Sequence, residues 1–253
     1  MAKAPNNKKL IAVSILAYLL FLVALLPISF VYKLLEPKGL PVEIIAVEGT
    51  LWQGAVTLKH PYTGQLQARW DLDILPLFTG SIAADIQAKG NFLNVDASLR
   101  ANALSRYVSI DGLTGVINET LINQAIKRTR RTMQGDVELN IQSLDYDFKD
   151  KTAYNVTGNI VWLGGEVSYP KGRQIKRTTM PMLVAQLSEQ QGKLLVDLNT
   201  TEGNGVAQAY LNTDGWGGVS IYKRMLDLIN EPWPGGKVTP DDVIFEVSEK
   251  VLP

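Results

Sequence analysis

The side chains in this sequence that could do chemistry are few, and their spacing builds no catalytic constellation. His60 is the one histidine among 253 residues and cysteine is absent. Histidine pairs, thiolate nucleophiles, disulfides, iron–sulfur ligation and cysteine-based zinc sites therefore fall away together. His60 stands before Pro61 and reads as a turn residue. Asp145, Asp147 and Asp150 bring three carboxylates close in sequence. They lack the glycine and terminal glutamate of an EF-hand loop, and the first two fall on the polar side of an alternating strand, where solvation accounts for them. No P-loop, dinucleotide fingerprint or nucleophile elbow is present. Asn118-Glu-Thr120, Asn155-Val-Thr157 and Asn199-Thr-Thr201 match the glycosylation acceptor pattern, which matters only in a eukaryotic source. These absences predict a protein that is not an enzyme and carries no cofactor or metal.

One charged cluster remains. Lys127, Arg128, Arg130 and Arg131 close a helical segment, where cations complement the helix dipole. The same four side chains also suit an acidic partner or lipid head groups. With 25 basic and 25 acidic residues the formal net charge is zero, so no overall field draws in nucleic acid.

The N-terminus sets the compartment. Every residue from Leu10 to Tyr32 is uncharged and nearly all are apolar, long enough for a helix to cross a bilayer, which takes roughly 20 residues. Residues 10–32 are read as an uncleaved transmembrane helix, because Ala24-Leu25-Leu26-Pro27 offers no small-x-small cleavage site. Lys3, Lys8 and Lys9 precede the span and favour a cytoplasmic tail at 1–9. A linker at 33–41 then leads to residues 42–253 on the far side of the membrane.

That region reads as sheet. Leu66, Ala68, Trp70, Leu72 and Ile74 alternate with Gln65, Gln67, Arg69, Asp71 and Asp73, the period of a strand with one buried face. The period returns at 82–89, 93–100 and 137–149, the last with a one-residue slip that predicts a bulge. Shorter strands are expected at 42–47, 156–162, 183–187, 194–198, 206–211 and 243–247. Turn signals, Asp111-Gly112 among them, separate the strands. Helical periodicity at 118–130 and 220–230 predicts two short helices, and the first divides the domain into two possible halves near 117–134. Gly49-Thr50-Leu51-Trp52-Gln53-Gly54 has looser echoes at 158–167 and 215–219. In each, glycine after the tryptophan lets the backbone turn while that tryptophan's own indole, Trp52 in the first, caps the open end of a sheet core.

These features together resemble a known family. The lysine-bearing N-terminus, one hydrophobic span, Val47-Glu-Gly49-Thr50-Leu51-Trp52-Gln53-Gly54-Ala55 soon after it, and Trp70 in an alternating strand look like the type II secretion system protein N family of Gram-negative bacteria. The resemblance covers essentially the whole chain. It implies an accessory, single-pass inner-membrane protein with a periplasmic domain, working with other type II secretion components in moving folded proteins across the outer membrane. No catalytic residue carries over. The family looks related, more distantly, to AsmA-type envelope proteins, whose sheets curl into an open groove with an apolar inside.

Pattern and resemblance together predict a mainly β fold: one transmembrane helix and a long, curved, mostly antiparallel sheet, as groove or sandwich, with two short helices. Two functions stay open. A scaffold or adaptor fills its groove with its own side chains. A lipid-handling protein leaves a channel lined by Leu66, Trp70, Ile82, Ile86, Leu93 and Val95.

Overall fold

Strand-forming sequence dominates the computed structural model, which describes residues 11, 14, 15, 18, 21, 22, 25–30, 43–60, 64–73, 76, 80–102 and 104–252. Thirteen strands form one antiparallel sheet: β1 (Glu43–Gly49), β2 (Gln53–His60), β3 (Gly64–Asp73), β4 (Ser81–Gly90), β5 (Leu93–Asn102), β6 (Tyr107–Ile117), β8 (Val137–Asp147), β9 (Thr152–Trp162), β12 (Leu183–Gln190), β13 (Lys193–Thr200), β14 (Gly205–Leu211), β15 (Trp216–Tyr222) and β16 (Val243–Lys250). They lie side by side in chain order. A smaller sheet, β11 (Gln174–Met180), β10 (Gly165–Lys171) and β7 (Thr132–Met133), is built from the two excursions that leave this order. The large sheet is unbroken between residues 117 and 137, because β6 pairs directly with β8.

Register places the apolar residues of successive strands opposite one another. Trp70 faces Ile86, Ile86 faces Ala97, and Leu99 faces Ile110. Beyond the middle, Leu139 faces Ile160, Ile160 faces Ala185, Ala185 faces Leu198 and Leu198 faces Ala207. One apolar face thus crosses the whole sheet.

How that face is covered changes along the chain. Ile141, Tyr146, Ala153, Val156 and Leu187 form a buried cluster, with Leu113, Leu144, Ile160, Leu194, Val196 and Leu211 packed against it. These belong to the large sheet, and Leu252, just after β16, packs against them as well, so the cluster is buried by the curl of the sheet together with this C-terminal residue. Consistent with this, Cα atoms of β9 and β13 come within 8 Å although β12 lies between them; two spacings of a flat sheet would keep them about 9.6 Å apart. A second cluster, Met180, Leu183 and Val206, lies where Val167 of β10 and Met225 and Leu228 of a short helix cover the sheet. Over β1–β5 no described apolar side chain is fully buried.

Two helices interrupt the strands, with a 3-10 turn after the first. Helix α1 (Glu119–Ile126) is capped by Asn118, whose side chain accepts from the Thr120 N–H at 3.0 Å. Asn118 also donates to Asp136 at 2.9 Å. The Asn123 amide donates to the Met133 carbonyl and accepts from its N–H, both at 2.8 Å, which ties α1 to β7. Helix α2 (Lys223–Leu228) is shorter than the expected 220–230, because Ser220, Ile221 and Tyr222 finish β15.

Other expectations are corrected in detail. Asp111-Gly112, read as a turn, lies inside β6; Gly112 adopts φ +60° and the register with β5 shifts there. It is a bulge, which switches the apolar parity from Val108 and Ile110 to Leu113, Gly115 and Ile117. The slip expected in 137–149 is present as register shifts between Ile141 and Asp145. Of the expected membrane span at 10–32, residues 10, 12, 13, 16, 17, 19, 20, 23, 24, 31 and 32 lie outside the described residues, as do the expected tail at 1–9 and linker at 33–41. The described positions 11, 14, 15, 18, 21 and 22 are helical, and no helix among the described residues is long and apolar enough to cross a membrane.

Candidate functional site

The Gly49–Gly54 motif forms the hairpin that joins β1 to β2. Gly49 and Gly54 are the last register pair, and the Thr50 N–H donates to the Gln53 carbonyl at 2.8 Å. The Thr50 hydroxyl in turn accepts from the Gln53 N–H at 3.1 Å. Gly49 turns with φ +90°, and a Cβ there would meet the Gln53 carbonyl oxygen at 2.4 Å. At Gly54 a Cβ would meet Cζ2 of Trp70 at 2.5 Å and the Glu48 carbonyl oxygen at 2.7 Å. Absence of a side chain therefore lets an indole lie on the backbone. That indole belongs to Trp70, brought opposite Gly54 by the β2–β3 register. Its Nε1 donates to the Leu51 carbonyl at 3.0 Å. Trp52 is half-buried in the loop, and its carbonyl accepts from the Leu72 N–H at 2.6 Å. The motif's chemistry is thus spent on closing a hairpin. The chain also crosses this hairpin: Pro27 bridges to Thr50, and the Leu51 N–H donates to the Leu26 carbonyl at 3.0 Å.

The echoes of the motif share only part of this geometry. Trp162 Nε1 donates to the Gln134 carbonyl at 2.8 Å, again pinning a loop. Trp216, by contrast, is 44% exposed at the start of β15.

The expected groove-lining residues lie together on the apolar face of β3–β5. Leu66, Trp70, Ile86, Leu93 and Val95 are half-buried and Ile82 is exposed. Ala68, Ala84, Ala88 and Ala97 lie on the same face, Ala68 opposite Ala88 and Ala97 opposite Ile86, so this part of the face is low and accessible. A depression of about 720 Å³ lies over β3–β6 and is lined by Asp71, Asp73, Asp85, Ser98, Arg100 and Asp111 as well as by Leu72 and Leu99. It is polar, and a hydrogen bond of 2.5 Å from Ser98 to Asp85 crosses it.

The basic group does not form one patch of helix. Lys127 and Arg128 occupy the 3-10 turn that ends α1, Arg130 takes the left-handed conformation at φ 55°, and Arg131 leads into β7. All four are exposed.

Two polar clusters escaped the sequence reading. Asp145, expected on a solvated face, is buried. It accepts from the Tyr107 hydroxyl at 3.1 Å and from the Asn155 amide at 3.2 Å, beneath a stacked Tyr107–Tyr154 pair. The second cluster is centred on Glu231, just after α2. Its carboxylate accepts from Lys171 at 2.5 Å, Lys176 at 2.6 Å and the Tyr169 hydroxyl at 2.9 Å. Hydrogen bonds from Lys171, Lys176 and Tyr169 hold the Glu231 pKa at about 2, while burial followed by the Glu231 contact pushes Tyr169 up to about 12. A Lys and Tyr set on β10 and β11 thereby clamps the end of α2. The pairing joins residues 55–62 positions apart, and nothing in the local sequence pattern marks it.

Hairpin glycines, a long antiparallel sheet with one continuous apolar face, and polar clusters spent on internal bonds define a mainly β protein with an accessible surface. The chain belongs to the type II secretion system protein N family, whose model matches residues 41–220. The match begins just ahead of β1 and ends within β15. No curated protein and no solved structure matches the chain.

Proposed function

We propose that this protein is an accessory, non-catalytic component of the type II secretion system, anchored in the inner membrane by residues 10–32, with its sheet in the periplasm as scaffold or adaptor. The family match over 41–220 carries this reading. It is supported by the apolar run Leu10–Tyr32 and by the lysines before it. Tethering a broad sheet at the membrane raises its effective concentration near other inner-membrane components without demanding a large interface.

A periplasm-dependent reporter fused after Pro253 is expected to be active and the same reporter after Lys9 inactive. The opposite pair of results would remove the anchored, periplasmic reading.

A second reading, lipid handling, is favoured by one observation: the apolar face over β3–β5 has no fully buried side chain. On this reading Leu66, Trp70, Ile86, Leu93 and Val95 contact acyl chains and Lys127, Arg128, Arg130 and Arg131 meet head groups. It calls for phospholipid that stays with the purified full chain through detergent exchange and is lost in an Ile86→Asp variant.

A further inference from the structure

The large sheet is open, and its final strand is unusually apolar for an edge. Among the described residues β16 pairs only with β15. Its opposite side offers free backbone donors and acceptors, the arrangement that templates pairing with another strand. Val243, Phe245 and Val247 are 50%, 54% and 52% exposed on the continuation of the apolar face, and Val251 follows at 56%. Those β-branched and aromatic side chains suit a pleated surface that is covered.

Among the symmetric registers of β16, one sets opposite charges against each other. A symmetric antiparallel pair that keeps the apolar face continuous must set residues of equal parity opposite one another. Centring it on Glu246 or on Glu249 opposes identical carboxylates. Centring it on Val247 places Phe245 against Glu249 and leaves Glu246 against Ser248. Centred on Ser248, the pair sets Glu246 opposite Lys250 twice and Phe245 opposite Val251 twice; Val247 then faces Glu249. The backbone permits this register, as it does any symmetric pairing centred on a residue of β16. The Val251 N–H donates to Gly215 at 3.0 Å, toward β15, so the alternation turns Lys250, Ser248 and Glu246 outward. At the other edge β1 carries only acidic charge, at Glu43 and Glu48, and its end hairpin is crossed by the chain at Pro27. Neither self-pairing of β1 nor its pairing with β16 offers comparable charge matching.

We propose that β16 is a homodimerisation edge, on which a second copy of this chain adds its own β16 antiparallel about Ser248, so that two sheets become one with a continuous apolar face.

The absence of cysteine from the chain makes the test direct. Directly opposed residues of antiparallel strands have Cα atoms about 4.5–5.5 Å apart, within disulfide range. In the full chain in mild detergent, Ser248→Cys is expected to oxidise to a covalent dimer of the 27.9 kDa protomer. Glu246→Cys or Lys250→Cys alone is expected to form no disulfide, and a mixture of those two chains to cross-link. Reversing one charge, Glu246→Lys or Lys250→Glu, should weaken dimerisation roughly tenfold, since two cross-strand pairs turn repulsive, and the double swap should restore it. All these side chains are exposed, so unchanged circular dichroism is expected throughout. A monomeric Ser248→Cys chain, cross-linking no better than at Gln208 in mid-sheet, or a preferred Ile45→Cys/Ser248→Cys bond between β1 and β16 would overturn the proposal.

Discussion

At the scale of single residues, the energetic role of the hairpin motif lies in what its glycines lack. Gly54→Ala would drive a Cβ against Trp70 and against a backbone oxygen that cannot move without disturbing β1. It is expected to destabilise the domain by about 1–3 kcal/mol, read as a lower urea midpoint of tryptophan fluorescence. An unchanged midpoint would mean that the Trp70 indole does not rest on Gly54. Tyr146 presents the opposite case. Its hydroxyl is buried and finds no hydrogen-bond partner among the described residues, an arrangement that costs free energy. Tyr146→Phe is therefore expected to leave stability unchanged or raise it by about 1 kcal/mol, and a clear loss in the same denaturation assay would reveal a partner for the hydroxyl. The glycine-and-tryptophan spacing was visible in the sequence, but which indole covers Gly54 was not. Trp52 is the chain neighbour, whereas Trp70 arrives only through strand register. Asp145 was misjudged for a related reason: its alternation says polar face, and burial there depends on Tyr107 and Tyr154 from neighbouring strands.

At the scale of elements, the clamp around Glu231 joins the small sheet to α2 across about sixty residues of sequence. Its folded pKa is depressed from 4.5 to about 2. The stabilisation is therefore fully present above about 4.5 and lost as the pH falls toward 2. Acid titration of the wild type should loosen β10 and β11 in that window, followed by amide exchange. Glu231→Gln should be looser already at neutral pH and lack the acid step; an identical acid profile in both would remove the clamp from the account. Strands with unbroken alternation, such as β3, β4 and β5, could be read directly. β6 could not, because the Asp111-Gly112 bulge imitates a turn and flips the parity. β10 and β11 were missed for another reason: Gly165–Lys171 and Gln174–Met180 carry few apolar residues, and their pairing in a second sheet over Leu183 and Val206 leaves no period in the sequence. Helix α1 was legible through Asn118 and the apolar face behind it, while α2 lost its first residues to the ladder of β15.

For the molecule as a whole, the large sheet does two different things with one apolar face. Over β8–β14 it curls and packs a core, with the small sheet and α2 closing the end; over β3–β5 it leaves the face accessible. The packed part supplies the hydrophobic stabilisation, and the accessible part is where a partner or ligand would meet the protein. Under the proposed function this surface serves protein export rather than lipid handling. The most direct measurement is the distribution of exoproteins in a clean deletion strain of a bacterium with a working type II system. Exoproteins are expected to fold but accumulate in the periplasm, a plasmid copy of the full chain to restore their release, and the outer-membrane barrier to stay intact. Normal exoprotein release from the deletion strain, together with a leaky outer membrane, would contradict that function.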